Sequence, residues 1–251
     1  MGNNFRLSLM LGWQDVRQAY RRSALGPFWI TASMFVQIAT MGLVFGLIFK
    51  TSLQEYLPYL AISVTLWSLI AGVIGEGCLS FINAEGLIKQ LNLPFYVHVL
   101  RTVWKQVITF GHNVLIVPLA FLAMLHGTNF YILLALPGFL LLVLNLSWIS
   151  YFLAAVSARF RDVPQIVASL VTILYFISPV MWQPSLIPEG TAHILLGLNP
   201  LYHLLQIVRL PILGAPPTIE NWLLSCLFAV AGWASVWLFA SKLRNKIAYW
   251  V

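Results

Sequence analysis

A succession of unbroken apolar runs, each close to the length a helix needs to cross about 30 Å of hydrocarbon, governs what this chain can become. The runs fall at residues 28–49, 57–79, 103–125, 130–156, 165–182 and 222–241. They are continuously apolar rather than alternating with period two, which argues against a membrane β-barrel. With 60% hydrophobic and 8% charged residues among 251, a soluble domain is excluded as well. The pattern predicts an all-α membrane protein with six transmembrane helices. All Lys and Arg residues except Lys50 and Arg209 fall on one side of that topology. Positive charge is retained in cytoplasmic loops, so that side, with both termini, is expected in the cytoplasm. No cleavable leader is expected before the first run, which begins near Phe28.

Two regions depart from simple spans. Residues 5–22 read as an amphipathic helix, with Phe5, Leu9, Trp13, Val16 and Tyr20 on one stripe and Arg6, Gln14, Arg17 and Arg21 beside or opposite it. Such a helix lies in the membrane interface, aromatic face in lipid and cations toward phosphates. Gly26-Pro27 breaks the chain before the first span, giving an interfacial unit over 1–27 and a six-span domain over 28–251. The second region, 183–221, lies within a proline-rich stretch, and its apolar pieces Ile194–Leu198 and Leu201–Leu213 are too short to cross. Two short re-entrant or periplasmic helices between the fifth and sixth spans are predicted, since irregular backbone at membrane depth must lie against protein or a water-filled cavity.

What is missing excludes most chemistry. There is no Gly-Lys pair, hence no phosphate loop, and no H-E-x-x-H, G-x-S-x-G or carboxylate cluster. His98, His112, His126, His193 and His203 are scattered without ligand spacing, so neither metal nor cofactor is expected. Glu76 is the one clear carboxylate near a span, which disfavours ion-coupled pumping. The net charge of +7 sits beside helix ends and points to lipid head groups, not nucleic acid. Cys78 and Cys226, isolated in apolar segments, read as buried structural thiols.

Aromatic residues suggest a path. Tyr56, Tyr59, Ser63 and Trp67 share a face of the second span, and Tyr175, Ser178 and Trp182 share one near the fifth. Phe28, Phe35, Phe45 and Phe49 lie along the first span with Gly42. Apolar C–H faces of sugars stack on such rings, and Tyr and Trp add a polar handle. Interfacial aromatic belts and ordinary packing are the competing explanations. Gly42 and Gly46 form a G-x-x-x-G read as close helix packing.

Four segments carry a family likeness. Arg17–Trp29 reads R-Q-A-Y-R-R-S-A-L-G-P-F-W, following Asp15; Ala158–Val163 reads A-R-F-R-D-V; Ile177–Trp182 reads I-S-P-V-M-W; and Asn199–Arg209 begins N-P-L-Y-H and ends in Arg. In the first, Tyr20, Arg21, Ser23, Leu25, Gly26 and Trp29 match the signature. In this order the chain resembles the transmembrane (permease) subunit of type-2 ABC exporters for lipid-linked polysaccharide, and most resembles the O-antigen branch.

The resemblance implies a half-transporter, not an enzyme. Two copies would form a channel lined by Tyr59, Trp67, Tyr175, Trp182, Phe28, Phe35, Phe45 and Phe49. Two separate ATP-binding subunits would drive it, docking on a coupling segment over 83–92 that includes Asn83, Glu85, Lys89 and Gln90. Arg17, Arg21 and Arg22 would meet the pyrophosphate of an undecaprenyl-linked glycan at the inner leaflet of a bacterial inner membrane, since guanidinium forks suit phosphate oxygens. Capsule and teichoic-acid exporters are close alternatives. A six-span membrane enzyme would need an intramembrane nucleophile paired with His or a carboxylate, and an anchoring subunit would need no ATPase at all.

Overall fold

A computed structural model describes residues 2–21, 23, 26, 28–91, 93–124, 127 and 129–250. Arg22, Leu25, Asn92 and His126 lie outside these, as do the side chains of His193, Lys242, Arg244 and Lys246. The described residues form helices α1 (Gly2–Ala19), α2 (Phe28–Phe49), α3 (Leu53–Asn83), α4 (Glu85–Gln90), α5 (Phe95–Asn113) and α6 (Ile116–Ala123). These are followed by α7 (Ala135–Arg159), α8 (Val163–Ile177), α9 (Glu189–Gly197), α10 (Pro200–Ile212) and α11 (Ile219–Trp250), with 3-10 turns at Phe130–Leu134 and Pro184–Leu186. No strand occurs among them. The chain is an all-α membrane protein.

Among the described residues, five segments are long and apolar enough to cross a bilayer: Phe28–Phe49, Leu53–Asn83, Phe95–Ala123, Phe130–Arg159 and Ile219–Leu238. The expected run at 165–182 is different. Its helix, α8, has 15 residues, about 22 Å of rise. It stops because Pro179 disfavours helical backbone at Ser178, which takes φ −77° and ψ 141°. The sixth apolar run is therefore a short helix followed by irregular chain, and it falls short of the length of the other five. Pro118 similarly divides α5 from α6, because it has no N–H for the Val114 carbonyl; Val117 N–H bonds to that oxygen instead, at 3.0 Å. The two short helices expected between the fifth and sixth apolar runs are present as α9 and α10.

Helix α3 is the axis of the core, with 78% of its apolar window buried among α2, α5, α7, α8 and α10. Tyr56, Leu60, Ile62, Leu66, Ile70 and Phe81 are fully buried along it. Where α7 crosses α10, a Cβ on Gly138 would stand 2.2 Å from the Ile207 carbonyl, so only glycine permits that approach. Gly42 and Gly46 seat α2 on Leu57 and Leu53 of α3, as the G-x-x-x-G suggested. Cys78 is buried on α3, whereas Cys226 lies exposed on α11, correcting its expected burial: position 226 falls on the α11 face turned away from the other helices.

Helix α1 packs on α5 by a face that shares only Val16 with the centre of the expected aromatic stripe. Ser8, Gly12 and Val16 are buried there, while Phe5 and Trp13 stay open. A Cβ at Gly12 would lie 2.7 Å from the Arg101 carbonyl, so the two backbones nearly touch.

Candidate functional site

The molecule has two polar ends. One gathers α1, α4, the start of α5 and the end of α7, with most of the cations; the other holds Lys50, the irregular turn after α8, and α9–α10. At the second end Arg209 on α10 is only 1% exposed. Its Nη1 donates to Tyr59 Oη (2.8 Å), Ser63 Oγ (3.0 Å) and the Pro179 carbonyl. Nε and Nη2 both donate to Gln206 Oε1, at 3.1 and 3.0 Å. The guanidinium carbon lies 4.6 Å from the Tyr59 ring centroid, a cation–π contact. Among the described residues Arg209 has no carboxylate partner. Its acceptors are all neutral.

That arrangement answers a backbone problem. Carbonyls released where α8 stops lie in a segment, 178–180, that is buried within the protein, and they need donors from it. Tyr56 Oη donates to the Met181 carbonyl, Tyr59 Oη lies 2.6 Å from the Pro179 oxygen and 2.9 Å from that of Trp182, and Arg209 adds to Pro179. Asn199 Nδ2 donates to Ser178 Oγ at 2.8 Å. The turn 178–182 is thus held by side chains from α3, from α10 and from the residue that caps it.

The expected path residues divide accordingly. Tyr59 and Trp67 are 7% exposed, inside the subunit. Trp67 meets Tyr175 at 5.6 Å between ring centroids, and Trp182 Nε1 donates to the Phe176 carbonyl at 3.0 Å; both Tyr175 and Trp182 are half-buried. Phe45 stacks on Phe49 at 5.6 Å and both pack against the core. Phe28 and Phe35, 66% and 55% exposed, stand on the bare face of α2. The structure brings Tyr59, Trp67, Tyr175 and Trp182 together around α3 and α8, and leaves Phe28 and Phe35 apart.

At the basic end Asp15 of α1 accepts a two-pronged bond from Arg101 of α5, and Lys105 donates to both oxygens of Glu76 on α3, at 2.8 and 2.9 Å. These pairs line a polar cavity of about 360 Å³ with His98, whose ring nitrogens have no protein partner among the described residues. Arg17 and Arg21, four residues apart, line an open hollow with Gln14, Gln18 and Tyr20, and neither is ion-paired among the described residues. Past the end of α3, Asn83 is exposed, and the short helix α4 exposes Gly86, Lys89 and Gln90 while Glu85, Leu87 and Ile88 are half-buried. There Lys89 donates to Glu85 at 2.6 Å and holds its carboxyl below the ordinary carboxylate range. Gln90 is exposed at the end of α4.

The sequence marks Arg209 as a topological exception and as the end of the N-P-L-Y-H…R segment, but not as a buried strut. Its signal is a lone guanidinium within the apolar stretch Leu201–Leu213, three residues after Gln206. Among the described residues, no three His, Cys, Asp or Glu side chains converge to hold a metal.

Comparison with known proteins extends the picture. A family model described as ABC-2 type transporter matches residues 7–213. An O-antigen export system permease protein RfbA of Myxococcus xanthus is 26% identical, covering 96% of this chain and 94% of its own. A protein of the same description from Klebsiella pneumoniae is 22% identical, covering 80% of this chain and 78% of its own.

Proposed function

Because the chain belongs to the ABC-2 type transporter family, we propose that it is the permease of an exporter carrying undecaprenyl-pyrophosphate-linked O-antigen polysaccharide from cytoplasm to periplasm. The observation that carries this reading is the likeness to the Myxococcus xanthus O-antigen permease across 96% of the chain. In this reading the protein resides in a bacterial inner membrane. The basic end faces the cytoplasm, in keeping with the retention of Lys and Arg there.

Two copies join to form the conduit, with the bare face of α2 as the natural contact. The open rings of Phe28 and Phe35 and the half-open Tyr175 and Trp182 then line the path, backed by Phe45, Phe49, Tyr59 and Trp67. Two ATP-binding subunits dock on Asn83 and α4, using Glu85, Lys89 and Gln90. The unpaired forks of Arg17 and Arg21, with Arg22, receive the lipid pyrophosphate. A ligand shifts such a machine only by binding its two states unequally, so the ATPase contact on α4 must differ between them.

Deleting the gene tests the whole reading: surface O-antigen disappears and lipid-linked glycan accumulates inside. A deletion strain with unchanged surface glycan would refute it. Capture of an ATP-binding protein with the tagged permease, lost on reversing charge at Glu85 and Lys89 together, tests the docking surface. Ala at Phe35 and Tyr175 slows export while insertion is unchanged, and unaltered rates would remove both from the path.

A further inference from the structure

A cavity of about 340 Å³ opens between α9, α10 and the start of α11, and none of the aromatic path residues lines it. This is within the size range of small-ligand sites. Its lining mixes apolar walls with Tyr202, His203, Gln206, Thr218, Glu220 and Asn221. The polar groups are held in place from behind. His203 is buried, with Nδ1 2.8 Å from Asn221 Oδ1 and Nε2 3.0 Å from the Gly197 carbonyl. Gln206 Nε2 donates to Tyr202 Oη at 2.8 Å while its Oε1 is occupied by Arg209. The Asn221 N–H bonds to Thr218 Oγ at 3.2 Å, which anchors the start of α11.

Hydrogen-bonding capacity is left over. The Tyr202 hydroxyl accepts from Gln206, and among the described residues nothing accepts its own hydrogen. The second amide hydrogen of Gln206 and the other end of the Asn221 amide are likewise uncommitted. Glu220 is exposed and has no ion pair among the described residues. Donors and acceptors therefore converge beside a tyrosine ring, with one carboxylate and no Lys or Arg among the described lining residues. An anion meets Glu220 and no compensating cation. A lipid chain would leave the amides dry and unpaired, which is costly. A neutral polyhydroxylated ring satisfies both kinds of group and offers a C–H face to the aromatic.

We propose that this cavity is a saccharide subsite, with Tyr202 stacking on one neutral sugar unit and Gln206, Asn221, Thr218 and Glu220 bonding its hydroxyls. The assignment rests on the glycan-export reading above and names where, at the end opposite the basic one, the polymer is held. It also gives that sugar a route inward. Tyr202, Gln206 and Arg209 form one hydrogen-bonded chain ending on Tyr59 and the Pro179 carbonyl. An occupied subsite therefore leans on the strut that holds the turn after α8.

The test uses the full-length permease in lipid nanodiscs, with methyl hexopyranosides as probes and cyclohexanol and glucose 1-phosphate as controls, read by saturation-transfer NMR. The hexosides should show transfer. Apparent affinity should fall about tenfold in Tyr202→Ala and about threefold in Glu220→Gln, in line with the loss of a ring contact and of one charge-assisted bond. Glu220 is exposed, so its variant reads the site even where Tyr202→Ala folds poorly. Equal transfer to cyclohexanol, or hexoside binding unchanged in both variants, would overturn the subsite. Absent hexoside transfer together with loss of surface glycan on gene deletion would overturn the subsite and leave the export reading standing. Intact glycan in the deletion strain would overturn both, because the sugar would then have no reason to arrive.

Discussion

The two ends of this molecule handle charge in opposite ways. At the basic end each half-buried Lys or Arg among the described residues meets a carboxylate, Arg101 with Asp15 and Lys105 with Glu76. At the other end Arg209 is more deeply enclosed than any of them and meets only neutral oxygens. The difference follows from what each end must solve. Near the interface, water and lipid phosphates moderate charge, and ion pairs join helices at modest benefit. Where α8 stops short, the problem is exposed carbonyls, and a guanidinium is the side chain with the most donors to offer them. One end uses charge as glue and the other uses it as a source of hydrogen bonds.

The contrast is broken most severely by Arg209→Leu, which strands the Gln206 amide oxygen and leaves the single Tyr59 hydroxyl hydrogen to serve the Pro179 and Trp182 carbonyls, so one of them goes unpaired. A loss of about 3 kcal/mol or more is expected, from two or more buried acceptors left unpaired. Equilibrium unfolding in bilayers measures it, and a wild-type curve would show that the turn holds itself. Arg209→Lys should recover part of the loss, because it keeps charge but fewer directed donors.

Next in size is Gly12→Ala. Its Cβ would press on the Arg101 carbonyl at 2.7 Å, separating α1 from α5 at a cost of about 1–3 kcal/mol. Faster amide exchange in α1 with little change in α7 is the expected signature. Smaller again is the coupling between Asp15 and Arg101, about 1 kcal/mol in a double-mutant cycle with Asp15→Asn and Arg101→Gln. A value near that of Arg209→Leu would erase the distinction between the ends.

Smallest is the response of α4 to pH. The folded Glu85 carboxyl is held below its unfolded range, so its contribution is present at neutral pH and is lost as pH falls through the depressed value. Amide exchange across α4, corrected for intrinsic rates, should rise there, and Glu85→Gln should flatten the response.

Much of this architecture was legible before any coordinate. Run length alone marks α2, α3, α7 and the apolar part of α11, and the proline-rich stretch marks α9 and α10. What the sequence did not show has two causes, one of face and one of local backbone. Periodicity reports which residues share a face, not which neighbour the face meets. The stripe of Phe5 and Trp13 is real but open, while α1 is seated by Ser8, Gly12 and Val16. Tyr56 and Tyr59 do share a face with Ser63, and that face looks inward to α10 and the turn after α8. The early stop of α8 is a local effect of Pro179 that an apolar run conceals.

The seating of α1 has a mechanical meaning. In sequence it precedes α2, yet its solid attachments, Gly12 and Asp15, are to α5. A force applied to this helix therefore bypasses its covalent neighbour and arrives at Arg101, one helical turn from Lys105 and, through it, Glu76 on the central helix.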